Sequence, residues 1–216
     1  MEFNKSYIGL RPDLLKYITG ESINVLDVGC ATGSNGEWLK NNKKIKYLTG
    51  VELDSKMAAI AKPFYDEMIV GNLDSLDLGK TLNNRKFDFI LLGDILEHLI
   101  DPVKTLSQLS ERLSTDGKII ISLPNIQHIN TFINLYIKGK WAYNERGIYD
   151  KTHLRWFTLK NIREMVNDSN LKIVKVERKY RFMDAVGSKF PLGSRIILSS
   201  LFKNLFTFQY IIVCSL

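Results

Sequence analysis

Five short apolar runs punctuate the chain before Asn125: Ile23 to Val28, Lys46 to Val51, Glu67 to Val70, Phe87 to Leu92 and Lys118 to Leu123. Runs of this length, rich in β-branched residues and bounded by turn formers, have the pattern of buried strands. Phe87 to Leu92 is continuous apart from Asp88, as expected of a central strand covered on both faces. Helix signals fill the gaps. Ser34 and Glu37 form an S-x-x-E capping box, Asp54 reads as an N-cap with Pro63 as the stop, and Asp101-Pro102 opens a helix running to about Leu113. Strands alternating with helices predict a parallel α/β sheet, doubly wound and Rossmann-like, in a single domain over 1–216.

Other segments frame that sheet. Residues 1–22 are an approach segment, where Arg11-Pro12-Asp13 opens a short helix with Leu14, Leu15 and Ile18 on its apolar face; Gly20 ends it, and Tyr7 is expected to pack nearby. From 126 to 157 the pattern turns aromatic, through Phe132, Tyr136, Trp141 and Tyr143, as in a lid or substrate wall over the strand tips. A helix from about Leu159 to Val166, capped by Thr158, and a strand from Leu171 to Lys179 follow, with Phe208 to Cys214 as the last strand. Between these strands, 180–207 is an insertion longer than a hairpin loop. Within 193–205, Ile197, Leu198, Leu201, Phe202 and Leu205 share a helical face opposite Arg195, Ser199, Lys203 and Asn204. That stripe suits peripheral membrane contact, packing on the sheet, or a homodimer face. A membrane span is disfavoured, because Lys203, Asn204 and Gln209 would lie in hydrocarbon.

The chemistry begins where the first strand ends. Asp27-Val28-Gly29-Cys30-Ala31-Thr32-Gly33 joins strand to helix through glycines, which are needed where backbone turns sharply or a ligand approaches closer than a Cβ permits. A dinucleotide site wants G-x-G-x-x-G, and Ala31 stands where its second glycine would be. The second strand ends in Glu52, 19 positions beyond Gly33, placed to accept hydrogen bonds from two ribose hydroxyls.

The pattern D-x-G-x-x-x-G, with the acid of Gly50-Val51-Glu52-Leu53-Asp54, resembles motif I and the acidic position of class I S-adenosylmethionine-dependent methyltransferases. Gly93-Asp94-Ile95-Leu96-Glu97-His98-Leu99, with Asp101-Pro102, resembles that family's fourth-strand motif. Asp150-Lys151-Thr152-His153-Leu154-Arg155-Trp156-Phe157-Thr158 is similar to a segment of its small-molecule subgroup, which includes ubiquinone-biosynthesis O-methyltransferases. The resemblance implies seven strands in the order 3-2-1-4-5-7-6, mostly parallel with the last antiparallel. It also implies S-adenosyl-L-methionine as cofactor, held by Asp27, Gly29, Cys30, Ala31, Gly33, Glu52, Leu53, Asn72, Leu73, Gly93, Asp94 and Ile95. Relatives commonly carry Gly-Asp at the third strand tip, the acid accepting from the adenine amino group. Here Asn72 would accept that bond through its carbonyl oxygen without a charge, and Asp74 is a rival.

Net charge is +7, but the basic residues are spread, and the one concentration, Lys172 to Arg181, suits a solvated strand edge guarded by lysines. Nucleic acid is therefore not the favoured partner. The only cysteines, Cys30 and Cys214, suggest neither a disulfide framework nor a metal site and point to a reduced cytoplasm. Met1 to Thr19 has no signal-peptide core.

A sulfonium already activates the methyl group, so what the protein must do is align a nucleophile for in-line displacement. A hydroxyl acceptor also benefits from a base, and histidine is poised near neutral pH. His153 is the first candidate, His128 the second and His98 the third. In an extended stretch, Arg155 shares a side with His153 and would grip an anionic group of the acceptor. Structural roles compete: Arg155 pairing with Asp150, His153 capping a backbone group, and Glu97-His98 anchoring a junction. The expected reaction is methyl transfer to an oxygen of a small molecule, such as a saccharide, a lipid-linked compound or a quinone-like acceptor. Alternatives are a non-catalytic cofactor-binding subunit, an RNA methyltransferase, or an NAD-linked oxidoreductase, which the missing glycine opposes.

Overall fold

The computed structural model describes residues 8–183 and 202–216; Tyr7 and most of the 193–205 stripe lie outside them. Seven strands, β1 (Ile23–Val28), β2 (Ile45–Glu52), β3 (Glu67–Val70), β4 (Phe87–Gly93), β5 (Leu113–Pro124), β6 (Lys172–Tyr180) and β7 (Thr207–Ser215), form one sheet in the order β3-β2-β1-β4-β5-β7-β6. The first five are parallel, and β7 runs antiparallel to both β5 and β6. The helices are α1 (Pro12–Leu15), α2 (Ser34–Asn42), α3 (Ser55–Ala61), α4 (Leu78–Thr81), α5 (Pro102–Ser110), α6 (Ile129–Phe132) and α7 (Leu159–Asp168).

Apolar side chains leave both faces of the sheet. Val25, Leu91, Ile120 and Ile211 pack with Leu14, Leu15 and Ile18 of the approach segment and Leu39 of α2. Leu26, Ile90, Ile121 and Ile212 face the other side, against Leu106 and Leu109 of α5 and Ile162 and Met165 of α7. Each such side chain contributes about 1.5–3 kcal/mol on burial, so the strand tips that carry the site are held from both sides.

Several local expectations change in the folded chain. Gly33, with φ of +88°, is the N-cap of α2, so Ser34 is already its first residue and the Ser34–Glu37 capping box does not form. Helix α5 ends at Ser110, and β5 starts at Leu113 rather than Lys118. The turn-like Asp116-Gly117 is absorbed into the strand beside a register shift opposite Phe87–Phe89. A Cβ on Gly117 would lie 2.9 Å from the Phe87 carbonyl oxygen, which is why glycine sits there. Asp54, Asp101 and Thr158 do cap their helices, the last in a capping box with Asn161.

Strand β6 lies at the sheet edge and carries Lys172, Lys175 and Lys179, the solvated edge anticipated for that basic cluster. After β5, helix α6 continues into a π-helical turn, Ile133–Ile137. Its side chains Phe132, Tyr136 and Ile137, and Tyr143 beyond, are exposed. Ile148, Tyr149 and Phe208 pin the following loop to β7 in a small apolar cluster joined by Trp141. The 180–207 insertion leaves and re-enters the sheet through a narrow neck, where Tyr180 pairs with Thr207 and the Arg181 N–H donates to the Phe206 carbonyl at 3.0 Å. Among the described residues no helix is long and apolar enough to cross a membrane.

Candidate cofactor and acceptor site

A cleft of about 940 Å³ opens at the carboxyl ends of β1, β2 and β4, the crevice in which doubly wound sheets bind ligands. Gly29 forms its floor with φ of +72°, and a Cβ there would stand 2.0 Å from Ile95 Cδ1. Gly33 serves helix packing instead, since its absent Cβ lets α2 approach Ala61 of α3. Both glycines are thus explained sterically, one by the cleft and one by packing behind it.

Glu52 is buried at the tip of β2, where Oε2 accepts from the Ala31 N–H at 2.8 Å and Oε1 from the Asp54 N–H at 2.9 Å. A carboxylate has about four lone-pair positions, so these two bonds orient Glu52 and leave acceptor capacity toward the cleft. Asp27 accepts from the Tyr65 hydroxyl at 2.7 Å. Burial pushes the Asp27 carboxyl up to about 6, against the pull of the Tyr65 and Asn35 hydrogen bonds. Tyr65 occupies space that Gly36 and Gly50 leave open, since a Cβ on either would lie within 2.9 Å of its ring. Cys30, Ala31, Leu53, Leu73, Gly93 and Ile95 also line the cleft.

At the third tip, Asn72 Oδ1 accepts from the Asp74 N–H at 3.0 Å, and Asp74 Oδ1 accepts from the Ile100 N–H at 2.9 Å. Both residues line the cleft. Asp94, with φ of +60°, receives Ser122 Oγ at 2.8 Å and Gln209 Nε2 at 2.6 Å on Oδ1, and Arg11 Nη1 on Oδ2. Sequence pattern does not mark Arg11 or Gln209 as site residues. Arg11 carries only a helix-start signal, and no local motif surrounds Gln209.

The acceptor end is built by two distant segments. Glu97 and His98 sit on the 3-10 turn Leu96–His98 after β4, and His153 comes from the loop before α7. The Glu97 carbonyl accepts from the N–H groups of Leu154 and Arg155 at 2.8 and 3.0 Å, clasping the segments together. His153 Nε2 lies 3.9 Å from Glu97 Oε1, and the His98 and His153 rings meet edge-on at 4.7 Å. His153 Nδ1 bonds the Ile148 carbonyl at 3.2 Å, so its proton belongs there and Nε2 carries the lone pair. Burial pulls both imidazoles below the usual histidine range, and for His153 the neighbouring His98 adds to the effect. The Glu97 carboxyl is 1% exposed, and among the described residues neither of its oxygens has a hydrogen-bond partner. Burial, reinforced by Asp94, drives it well above the usual carboxylate range.

His128 lies apart from this cluster. It caps α6, with Nδ1 accepting from the Asn130 N–H at 3.3 Å and Nε2 3.0 Å from the Arg181 carbonyl oxygen. Arg155 departs from its expected place: its guanidinium donates to the carbonyls of Ile100 and Leu154, and Leu154 rather than Arg155 lines the cleft. The clasp on the Glu97 carbonyl breaks the expected two-residue alternation, leaving Leu154, Arg155 and Trp156 all exposed while His153 is buried. Asp150 Oδ1 accepts from the Thr152 N–H and hydroxyl. Of the aromatic segment, Arg146 and Gly147 reach the cleft wall, whereas Tyr136 and Tyr143 face solvent.

Known proteins resemble this chain in sequence and fold. A methyltransferase domain family model matches residues 3–176. The ubiquinone biosynthesis O-methyltransferase of Coxiella burnetii is 26% identical over 149 residues, covering 65% of this chain and 62% of that protein. The trans-aconitate 2-methyltransferase of Agrobacterium fabrum is 26% identical over 145 residues, 64% of this chain and 56% of the relative. The chain thus spans less than two thirds of these curated relatives. A SAM dependent methyltransferase structure from Archaeoglobus fulgidus superposes with a TM-score of 0.66 at 20% identity, over 94% of this chain and 90% of that one.

Proposed function

The chain belongs to the class I S-adenosylmethionine-dependent methyltransferases, with S-adenosyl-L-methionine as cofactor, and from that premise we propose methyl transfer to an oxygen of a small-molecule acceptor. When bound, the cofactor supplies a methyl group already activated on a sulfonium. Glu52, with acceptor capacity beyond its two backbone bonds, would take the ribose hydroxyls. Asp27 would face the charged amino-acid end, and Leu53, Leu73 and Ile95 would give the apolar walls. The proteins named O-methyltransferases among the relatives support oxygen as the acceptor atom. Quinone-like, lipid-linked and saccharide hydroxyls are the classes to test. Free, buried Cys30 and Cys214 suit a cytoplasmic setting.

One observation carries the catalytic assignment. His153 lines the same cleft as Glu52 and Asp27, and the Ile148 carbonyl fixes its tautomer with the Nε2 lone pair turned toward Glu97. Held neutral by burial, His153 accepts the proton of an acceptor hydroxyl. The test is turnover of the cofactor to S-adenosylhomocysteine against a panel of small hydroxyl compounds and RNA, with the product located by NMR. A methylated small-molecule oxygen supports the assignment. Turnover on RNA alone, or cofactor binding without turnover on any acceptor, overturns it in favour of an RNA enzyme or a non-catalytic subunit.

A further inference from the structure

We propose that Arg146 and Arg181 form a subsite for an anionic group, a carboxylate or a phosphate, carried by the methyl acceptor. That the anion belongs to an acceptor rests on the methyl-transfer reading above; the subsite itself stands on geometry. Both arginines line the cleft that holds Glu52 and His153, and both are partly buried. The other partly buried arginines among the described residues commit guanidinium N–H groups to side chains of the protein: Arg11 to Asp13 and Asp94, Arg85 to Glu67, Arg112 to Asn84 and Arg178 to Asn204. Arg146 and Arg181 have neither a side-chain hydrogen bond nor an ion pair among the described residues. A cation on a cleft wall gives up part of its hydration, and an oxyanion bound there would restore those bonds in charge-assisted form.

Each arginine is positioned through its backbone. Arg146 lies in a loop closed by the Asn144 N–H donating to the Tyr149 carbonyl and the Lys151 N–H donating to the Asn144 carbonyl, both at 2.9 Å. The Arg181 N–H donates to the Phe206 carbonyl at 3.0 Å, and the Arg181 carbonyl oxygen lies 3.0 Å from His128 Nε2. The Arg181 guanidinium carbon sits 4.1 Å from the centroid of the Phe208 ring, a contact that uses the face of the cation and leaves its N–H fork unspent. Phe208 packs with Ile148 and Tyr149, which follow Arg146 and Gly147 in the same loop. The Ile148 carbonyl is the group that engages His153 Nδ1. One apolar cluster thus supports both arginines and orients the base.

The carboxylates of the cleft do not neutralise these two cations. Asp150, on the same loop as Arg146, takes the Thr152 N–H and hydroxyl on Oδ1 and forms no ion pair with Arg146. Asp13 and Asp94 pair with Arg11, the other arginine lining the cleft. A planar guanidinium meets a carboxylate or phosphate with two parallel N–H bonds, which fix orientation as well as adding affinity. An anion held at Arg146 and Arg181 therefore sets where the acceptor's hydroxyl stands relative to His153. A neutral acceptor would leave the two cations unmatched, so the subsite selects for charge. The anion-gripping role expected of Arg155 passes to these two residues.

The experiment uses the full chain saturated with S-adenosylhomocysteine and follows ligand titrations by NMR. Phenyl phosphate and benzoate are the anionic probes, and benzyl alcohol is the neutral control. At least one anion should bind about tenfold more tightly than benzyl alcohol, and the tighter of the two names the group as phosphate or carboxylate. Arg146→Gln and Arg181→Gln should each weaken that anion several-fold, and the double variant should bring it to the level of benzyl alcohol. Arg181→Lys should recover only part of the loss, because lysine lacks the fork. Neither glutamine variant removes a side-chain hydrogen bond among the described residues, so the folding risk is small. Equal binding of anions and benzyl alcohol by wild type, or anion binding unchanged in both single variants, overturns the subsite. So does a loss of S-adenosylhomocysteine affinity in step with the anion, which would assign the arginines to the cofactor's own carboxylate. Affinity for S-adenosylhomocysteine is read separately by calorimetry. Its absence in wild type would count against the methyl-transfer reading, and the same titrations on the unliganded chain would still judge the anion site.

Discussion

Arg11 Nη1 lies 2.6 Å from Asp94 Oδ2, joining the approach segment to the tip of β4 across 83 positions of chain. The same guanidinium reaches Asp13 and Ser122, and Arg11 lines the cleft together with Gly29. Arg11→Ala should weaken S-adenosylmethionine about tenfold and lower the melting temperature by a few degrees, since charged hydrogen bonds at a partly exposed site contribute about 1–2 kcal/mol. Arg11→Lys should recover only part of this, lacking the fork. Calorimetry and a thermal melt read both effects, and an unchanged affinity in Arg11→Ala would remove Arg11 from the site.

Glu52→Ala should cost cofactor affinity tenfold or more, because each charge-assisted bond to a ribose hydroxyl is worth about 1.5–3 kcal/mol. The apo protein should also melt earlier, because the Ala31 and Asp54 N–H groups lose their acceptor. Equal cofactor affinity in wild type and variant would refute the ribose assignment.

Asp27 ties stability to pH. Its folded value of about 6 lies above the unfolded 3.8, so the folded state holds the proton more tightly. Its contribution to stability is therefore fully present below about pH 4 and lost as pH rises through 6, with a span on the order of 3 kcal/mol. Cofactor affinity should run the other way, falling below pH 6 as the carboxylate facing the ammonium is neutralised. Urea denaturation and calorimetry from pH 4 to 8 should show opposed slopes, and Asp27→Asn should flatten both.

His153→Ala should depress turnover about 10²–10⁴-fold with cofactor affinity retained. The wild-type rate should fall as pH drops below the depressed histidine value and stay level above neutrality. Wild-type turnover in His153→Ala would transfer the proton-removing role to His98 or to solvent.

Gly29→Ala should abolish cofactor binding, because the new Cβ would meet Ile95 Cδ1 at 2.0 Å on a backbone with φ of +72°. Gly29→Ala/Ile95→Ala removes the clash but not the backbone strain, so binding should return only in part. Full recovery would mean that the clash alone mattered.

What can be read from sequence is what is written locally. Strands β1 and β3 have the bounds expected, and the Gly29 turn and Glu52 announce themselves through spacing along two consecutive units. Arg11, Gln209 and Ser122 meet only when the sheet is assembled, at separations that leave no periodic trace. The histidines show the same limit. Sequence ranks His153 ahead of His128 and His98, but it does not show ring direction, which is set by distant carbonyls, Arg181 for His128 and Ile148 for His153. The Ser34–Glu37 box fails because Gly33 takes the capping place through a left-handed backbone that the motif does not encode.

The closed neck at Tyr180–Thr207 has a practical consequence for protein engineering. Asn125 Nδ2 donates to the Thr207 carbonyl at 2.7 Å and to the Asn204 carbonyl at 2.8 Å, so the returning chain is moored to the end of β5 before it enters β7. A short turn, a fluorescent reporter or a binding peptide spliced between Met183 and Phe202 should therefore leave the β6–β7 pairing, and with it the cleft, in register.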